Sequence, residues 1–167
     1  MTFLFICDIF LLLLICVIIG IIRVAFVVIT IQGRSMLPTL CERDRVLIWR
    51  FWPARFLRRG QIIILQQESQ RFKGLPPYIK RITGVPGDII TFPSDLSEHV
   101  TLSLHAQHHI GNQRMWHIPP GHLFVQGDNQ AESVDSVLWG PISFDQVGGI
   151  VVRKLSGIGG EVKEKRT

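Results

Sequence analysis

Residues 78–92 read YIKRITGVPGDIITF. Two short runs of β-branched and aromatic residues flank Val-Pro-Gly-Asp, with Pro86 and Gly87 suited to the two central positions of a type II turn. The stretch is too short and too interrupted for an amphipathic helix, so it predicts two strands, expected to adjoin each other across the turn. RVLIW (45–49), GQIIIL (60–65), HLFVQ (122–126) and GGIVVRKL (148–155) repeat the same composition between Pro and Gly signals such as IPPG. No long amphipathic helix is seen, and the fold class that follows is mainly β.

The N-terminal stretch differs. Residues 3–22, FLFICDIFLLLLICVIIGII, are apolar with Asp8 as the single charge. At 1.5 Å per residue such a run is long enough to cross a hydrocarbon core of about 30 Å. Asp8 lies near the outer end, where a carboxylate reaches headgroups or water. A retained anchor is favoured over a removed secretory signal, which would need a positive n-region and a small-x-small site, and over a buried soluble helix. After Arg23, VAFVVITI (24–31) reads as a strand, which places Ser35 just past a strand end. The expected organisation is a transmembrane anchor at 3–22, one domain at 23–155 and a flexible charged tail at 156–167; with the anchor set aside, roughly 130 residues suit one domain.

Cys7 and Cys16 lie in the apolar run, leaving Cys41 alone in the domain without an internal disulfide, and it is read as a small packed thiol. The net charge of +5 comes from 13 arginines and 5 lysines against 13 acidic residues. It is densest in RFWPARFLRR (50–59), where Phe51, Trp52, Phe56 and Leu57 alternate with four arginines. Beside an anchor, this pattern points to an anionic membrane surface ahead of a solvated loop, and nucleic acid is not expected as a partner. The polar region from Phe92 to Trp116 carries His99, His105, His108 and His109 without a period and is expected to be a surface excursion. HAQHH (105–109) lacks a Cys-x-x-Cys or His-Glu-x-x-His frame, so neither a metal nor another cofactor is expected.

Ser35, in GRSMLPTL (33–40), needs a base to become a nucleophile. One of the six histidines would complete a Ser-His-Asp triad, but none stands in a recognisable motif. As an alternative nucleophile, Cys41 has no basic neighbours that would lower its pKa. Lys80 is the third candidate. If Tyr78, Lys80 and Ile82 face the core, then Ile79, Arg81 and Thr83 face away, burying one cation and leaving the other solvated. A lysine holds its proton to about pH 10.4 and serves as a base near neutrality only where burial disfavours its charge. Lysines are seldom buried, so residue patterning alone does not select Lys80.

Three motifs in order add to this reading. GRSMLPTL resembles the nucleophile box of type I signal peptidases, YIKRITGVPGD their lysine box, and GHLFVQGDNQAESVDSVLWGPIS (121–143) their closing box; ERDRVLI and RGQIIIL resemble the strands between. The resemblance runs from the anchor to about Val152. It implies a signal-peptidase-like β domain behind one N-terminal transmembrane helix, and a serine endopeptidase that removes leader peptides from preproteins. It also implies Ser35 as nucleophile, Lys80 as general base, Ser133 as the serine orienting the lysine, Asp135 as a structural acid, and Met36 and Pro38 as residues shaping the nucleophile turn. The backbone N–H of Ser35 would belong to the oxyanion hole. By the same resemblance the protein is a single-pass protein of a cell membrane with its catalytic domain on the trans side, or alternatively of the mitochondrial inner membrane.

The sequence departs from the family at four positions. Gly33 stands where some members have a serine that completes the oxyanion hole; Gln130 and Val137 stand where many have arginine, so Val137 cannot supply the usual ion pair to Asp135; Gln61 replaces a common aspartate. The soluble self-cleaving repressors that share this chemistry lack an anchor. The rival of another class is a membrane-tethered, non-catalytic binding protein on a decayed peptidase scaffold.

Overall fold

The computed structural model describes residues 2–66, 77–93, 107–110 and 113–155. Helix α1, Thr2–Ala25, is about 36 Å long at 1.5 Å per residue. Its Asp8–Ala25 window has a mean hydropathy of 2.7, and none of it is buried against the protein, so by length and composition it could cross a membrane. The helix continues beyond residue 22 and carries Arg23 in its last turn, where a cation complements the C-terminal dipole. Strand β1, Phe26–Thr30, follows without a linker, as a Val-Val-Ile-Thr run favours. The Ala25 carbonyl accepts the Arg50 N–H at 2.9 Å, tying the helix end to the sheet.

The remaining elements are β2 (Arg45–Trp49), β3 (Ile62–Leu65), β4 (Tyr78–Gly84), β5 (Ile89–Pro93), β6 (Gln107–Ile110), β7 (Gln113–His117), β8 (His122–Gln126), the one-turn helix α2 (Ser136–Trp139), β9 (Ile142–Ser143) and β10 (Val147–Leu155). Seven strands form one sheet in the order β1-β2-β10-β3-β4-β8-β9, and β5-β7-β6 form a second. All the pairings are antiparallel. The mainly β class expected from the sequence is therefore the class found.

Two expectations are corrected here. The turn at Pro86–Gly87 forms, with Gly87 at φ 89° and the Asp88 N–H on the Val85 carbonyl at 3.0 Å. The strands on either side of it do not pair, because β4 lies between β3 and β8 while β5 joins β7. A register shift between Ile82 and Gly84 lets the chain leave the first sheet. Gly84 leaves room there: a Cβ would lie 2.3 Å from Ile118 Cδ1 and 2.6 Å from Ile90 Cδ1, so those side-chain ends would have to move. Nor is the region from Phe92 to Trp116 merely a surface excursion, for it includes β6 and β7. His108 and His109 fall in β6, whereas His99 and His105, like the tail at 156–167, lie outside the described residues.

The apolar residues gather in three clusters. Ile31, Met36, Leu40, Val46, Ile48, Ile64 and Ile79 form the first; Ile63, Leu65, Ile82, Leu123, Val125, Ile142 and Ile150 form the second. Trp116, Ile118 and Phe124 form a third, between the sheets. The β3 run Ile-Ile-Ile-Leu contributes to the first two, as a strand covered on both faces must. Cys41 is exposed, not packed: its backbone N–H binds the Asp44 carboxylate at 2.7 Å, which holds the residue at the rim of its loop.

Candidate active site

Ser35 sits in the loop that joins β1 to β2. The base of the loop is closed by Ile31 N–H to Asp44 O at 2.8 Å and Arg43 N–H to Ile31 O at 2.9 Å. Inside it, Leu37 N–H binds Arg34 O at 3.2 Å and Leu40 N–H binds Met36 O at 2.9 Å. Met36 and Leu40 are buried in the first core cluster, which pins the loop just after the half-buried Ser35. Pro38 is exposed, so its part in the loop is its fixed φ and not its packing.

Lys80, on β4, is 2% exposed. Its cross-strand partner is Ile63, and Ile82 shares its face. The Nζ donates to Ser133 Oγ at 2.8 Å, and Ser133 Oγ donates to Asp135 Oδ2 at 2.7 Å. Asp135 is buried, caps α2, and also accepts the N–H groups of Gly127 (3.0 Å) and Val137 (3.1 Å). Val137, which stands where the family often has a cation, thus meets this carboxylate through its backbone. Burial holds the Lys80 amine below the ordinary lysine range, while the Asp135 charge pulls the other way.

The expected alternation along β4 holds for Lys80 and Ile82 and fails at Tyr78 and Ile79. Tyr78 is exposed and tilts against Trp139, with ring centroids 5.5 Å apart; Ile79 is buried, because the strand is interior and both its faces are covered. Arg81 is not simply solvated. It grips Asp128 bidentately at 2.7 and 2.6 Å and donates to the Gly60 carbonyl at 2.7 Å and to Thr39 Oγ1 at 3.3 Å. This pairing raises the Arg81 pKa and lowers that of Asp128.

Ser35 and Lys80 line one cleft of about 310 Å³, together with Gly33, Arg34, Tyr78 and Glu132. Neither the Oγ nor the N–H of Ser35 makes a hydrogen bond among the described residues, so both are available to a ligand. A smaller cavity of about 170 Å³ reaches Ser133 and Asp135 and is lined by Gln130, Val137, Phe92 and Gln126. The two positions at which the family often has arginine therefore border open space beside Asp135.

Sequence reasoning missed two residues. Gly127 has no room for a side chain, since a Cβ would lie 2.3 Å from Ser133 Oγ and 2.6 Å from Ser35 O. Asn129 grips the serine loop: its N–H binds Ser35 O at 2.9 Å and its Nδ2 binds Arg34 O at 3.1 Å. Both belong to Gly-Asp-Asn in the closing box, which was the available signal.

The arginine-aromatic segment at 50–59 lies at the foot of α1. Phe51 is 61% exposed and faces an apolar hollow shared with Val17, Gly20, Ile21 and Val24. Phe56 is exposed under the Arg55 guanidinium, 5.0 Å from its ring centroid. Trp52 and Leu57 differ from expectation, being half-buried: Trp52 packs edge-on to Trp49 and Phe56, and both border the second core cluster. Arg59 is ion-paired with Asp88.

A helix long and apolar enough to cross a membrane, a β domain, and a buried lysine bound to one serine and sharing a cleft with a second are thus found in one chain. The chain belongs to the signal peptidase family, peptidase S26, whose family model matches residues 5–155. It is 34% identical over 122 residues to a mitochondrial inner membrane protease subunit 2 of Schizosaccharomyces pombe, covering 68% of this chain and 56% of that protein. It is 30% identical over 128 residues to a mitochondrial ATP-independent inner membrane protease subunit 1b of Arabidopsis thaliana, covering 74% of this chain and 66% of that one. To a signal peptidase I of Bacillus caldolyticus the identity is 27% over 143 residues, covering 72% of this chain and 74% of that one. The chain thus spans a little over half to about two thirds of the mitochondrial relatives.

Proposed function

We propose that the protein is a membrane-bound serine endopeptidase that removes N-terminal leader peptides from translocated preproteins, with Ser35 as nucleophile and Lys80 as general base. The observation that carries this reading is Lys80, 2% exposed, its amine bound to Ser133 at 2.8 Å and sharing a cleft with a serine whose hydroxyl has no partner among the described residues. A lysine serving only solubility would keep its amine in water, since lysines are rarely buried unless paired.

The reaction follows from these groups. Neutral Lys80 takes the proton as Ser35 Oγ attacks the scissile carbonyl, and the oxyanion that forms is met by the Ser35 N–H. As the C–N bond breaks, the Lys80 ammonium gives its proton to the leaving amine, which is the N-terminus of the mature protein. Water, deprotonated by the same lysine, then attacks the acyl-serine and releases the leader. Ser133 fixes the Lys80 rotamer, and Asp135, anchored by two backbone N–H groups, fixes Ser133.

An extended substrate laid in the cleft directs alternate side chains into the protein, and the resemblance to the bacterial branch of the family implies small residues at the first and third positions before the cut. The domain is proposed to lie on the trans side of a cell membrane or of the mitochondrial inner membrane, held there by α1 and by Phe51 and its arginines. The expected result is that Ser35→Ala and Lys80→Ala each abolish cleavage of a model preprotein while circular dichroism stays unchanged. Near-normal cleavage by either variant would remove the dyad and favour the binding-protein alternative.

A further inference from the structure

We propose that Asn129 is a positioning residue that aims and polarises the oxyanion donor at Ser35; the inference rests on the peptidase reading above. The Arg34–Ser35 peptide is trans, so its carbonyl and its N–H point in opposite directions across one rigid plane. Fixing the carbonyl therefore fixes where the N–H points. The Arg34 carbonyl is fixed twice, by the Leu37 N–H at 3.2 Å and by Asn129 Nδ2 at 3.1 Å. The acceptor is a carbonyl oxygen, so only the NH2 end of the asparagine amide can face it. Asn129 also donates its own N–H to the next carbonyl, Ser35 O, at 2.9 Å, and so holds the peptide planes on both sides of the nucleophile.

The Ser35 N–H has no partner among the described residues, and Ser35 lines the cleft. Hydrogen bonds accepted by a peptide carbonyl strengthen the N–H of the same unit as a donor. This matters more here than where a second donor exists, because residue 33 is a glycine at φ 89° and offers no hydroxyl. Asn129 is well placed to carry the load. Its neighbour Asp128 is clamped by Arg81, which follows Lys80 on β4, so the part of the chain that grips the nucleophile is referenced to the strand that carries the base.

The test uses the full chain in detergent micelles with a leader-peptide substrate and a peptide aldehyde of the same sequence. Ser35 Oγ adds to the aldehyde carbon, and the former carbonyl oxygen takes the oxyanion position. Asn129→Ala and Asn129→Asp both keep the main-chain bond to Ser35 O and both lose the Nδ2 donor. The aspartate is isosteric and sets an anion against the Arg34 carbonyl. Asn129→Ala is expected to lower kcat roughly three- to thirtyfold with KM within about twofold, and to weaken the aldehyde by the same factor. Asn129→Asp should lose more on both measures, and thermal melting should barely move for either variant.

A loss confined to KM, an aldehyde affinity that does not follow kcat, or an Asn129→Asp enzyme as fast as wild type would overturn the inference. If Asn129→Ala fails to fold, the isosteric aspartate decides alone. Failure of the parent reading looks different, since wild type would then cleave no faster than Ser35→Ala.

Discussion

Gly127→Ala tests whether the lysine-serine-aspartate chain has any slack. Gly127 is not among the glycines with positive φ, so alanine fits the backbone and its effect is steric. The added Cβ would meet Ser133 Oγ at 2.3 Å, Ser133 Cβ at 2.6 Å and Ser35 O at 2.6 Å, each roughly an ångström inside ordinary contact. None of these neighbours moves freely. Ser133 Oγ bridges Lys80 and Asp135 at 2.8 and 2.7 Å, and Ser35 O is bound by Asn129. A displacement of about 1 Å in such a constellation costs on the order of a hundredfold in rate, and overpacking costs about 1 to 3 kcal/mol of stability.

The assay is single-turnover cleavage of a preprotein by Gly127→Ala, with melting temperatures measured alongside. A kcat about a hundredfold below wild type and a Tm lower by several degrees are expected. Ser133→Gly removes two of the three clashes, so in its background the alanine should cost much less than it does alone, giving a strongly non-additive cycle. A Gly127→Ala enzyme within threefold of wild type, or an additive cycle, would refute the claim that this glycine makes room for the dyad.

Ser133→Ala should lower kcat roughly ten- to a thousandfold with little change in KM, because an orienting bond to the base acts when the proton moves; an unchanged kcat would reduce Ser133 to a turn residue. Activity should fall as pH drops through the pKa of Lys80, and that acid limb should lie below the ordinary lysine value of 10.5 because burial disfavours the ammonium. Asp135→Asn removes the charge that opposes this shift, so its limb should move to still lower pH even as kcat falls; a limb moving upward would contradict the assignment. Phe51→Ser and Arg55→Gln should slow cleavage of a preprotein embedded in anionic vesicles severalfold and leave a soluble peptide unaffected; equal effects on both substrates would place the segment in the fold instead of on lipid.

Much of the fold was legible wherever a signal is local. The apolar run announces α1, and β2, β3, β4, β8 and β10 show their β-branched composition directly. What escaped depends on distant partners. The Pro86–Gly87 turn is written in its two residues, but that β5 pairs with β7 while β4 pairs with β3 and β8 depends on strands distant in sequence, which no local pattern records. Strands β6 (QHHI) and β7 (QRMWH) look like loop because most of their residues are polar; Trp116, buried and packed on Gly140, is the strongest apolar signal of β7. At the site, alternation left Lys80 one candidate among several, and both it and its partner Ser133, 53 residues away, were reached through the motifs. Gly127 and Asn129 escaped because a missing side chain and a side-chain amide on a backbone carbonyl leave no periodic trace.

The connection between α1 and Ser35 sets a geometric condition on substrates. The helix passes into β1 without a linker, β1 pairs in register with β2 from Phe26–Trp49 to Thr30–Arg45, and the Arg50 N–H on the Ala25 carbonyl ties the helix end to this ribbon. Five residues of strand rise about 17 Å at ~3.3 Å each. Beyond it the loop is closed at Ile31 by bonds to Arg43 and Asp44 and pinned by the buried Met36 and Leu40. With β1 upright and the loop folded on the core, Ser35 would stand on the order of 20 Å from the end of α1, a height that roughly six extended residues of substrate would cover. Preproteins with spacers of one to twelve residues between the apolar core and the cut should be processed best with spacers near six or shorter, since any tilt of β1 only lowers the serine. Longer spacers should be cut at a displaced position or more slowly. Equal processing across the whole series would mean that the domain does not work at a fixed height, and that the linkerless junction at Ala25 has no bearing on which bond is cleaved.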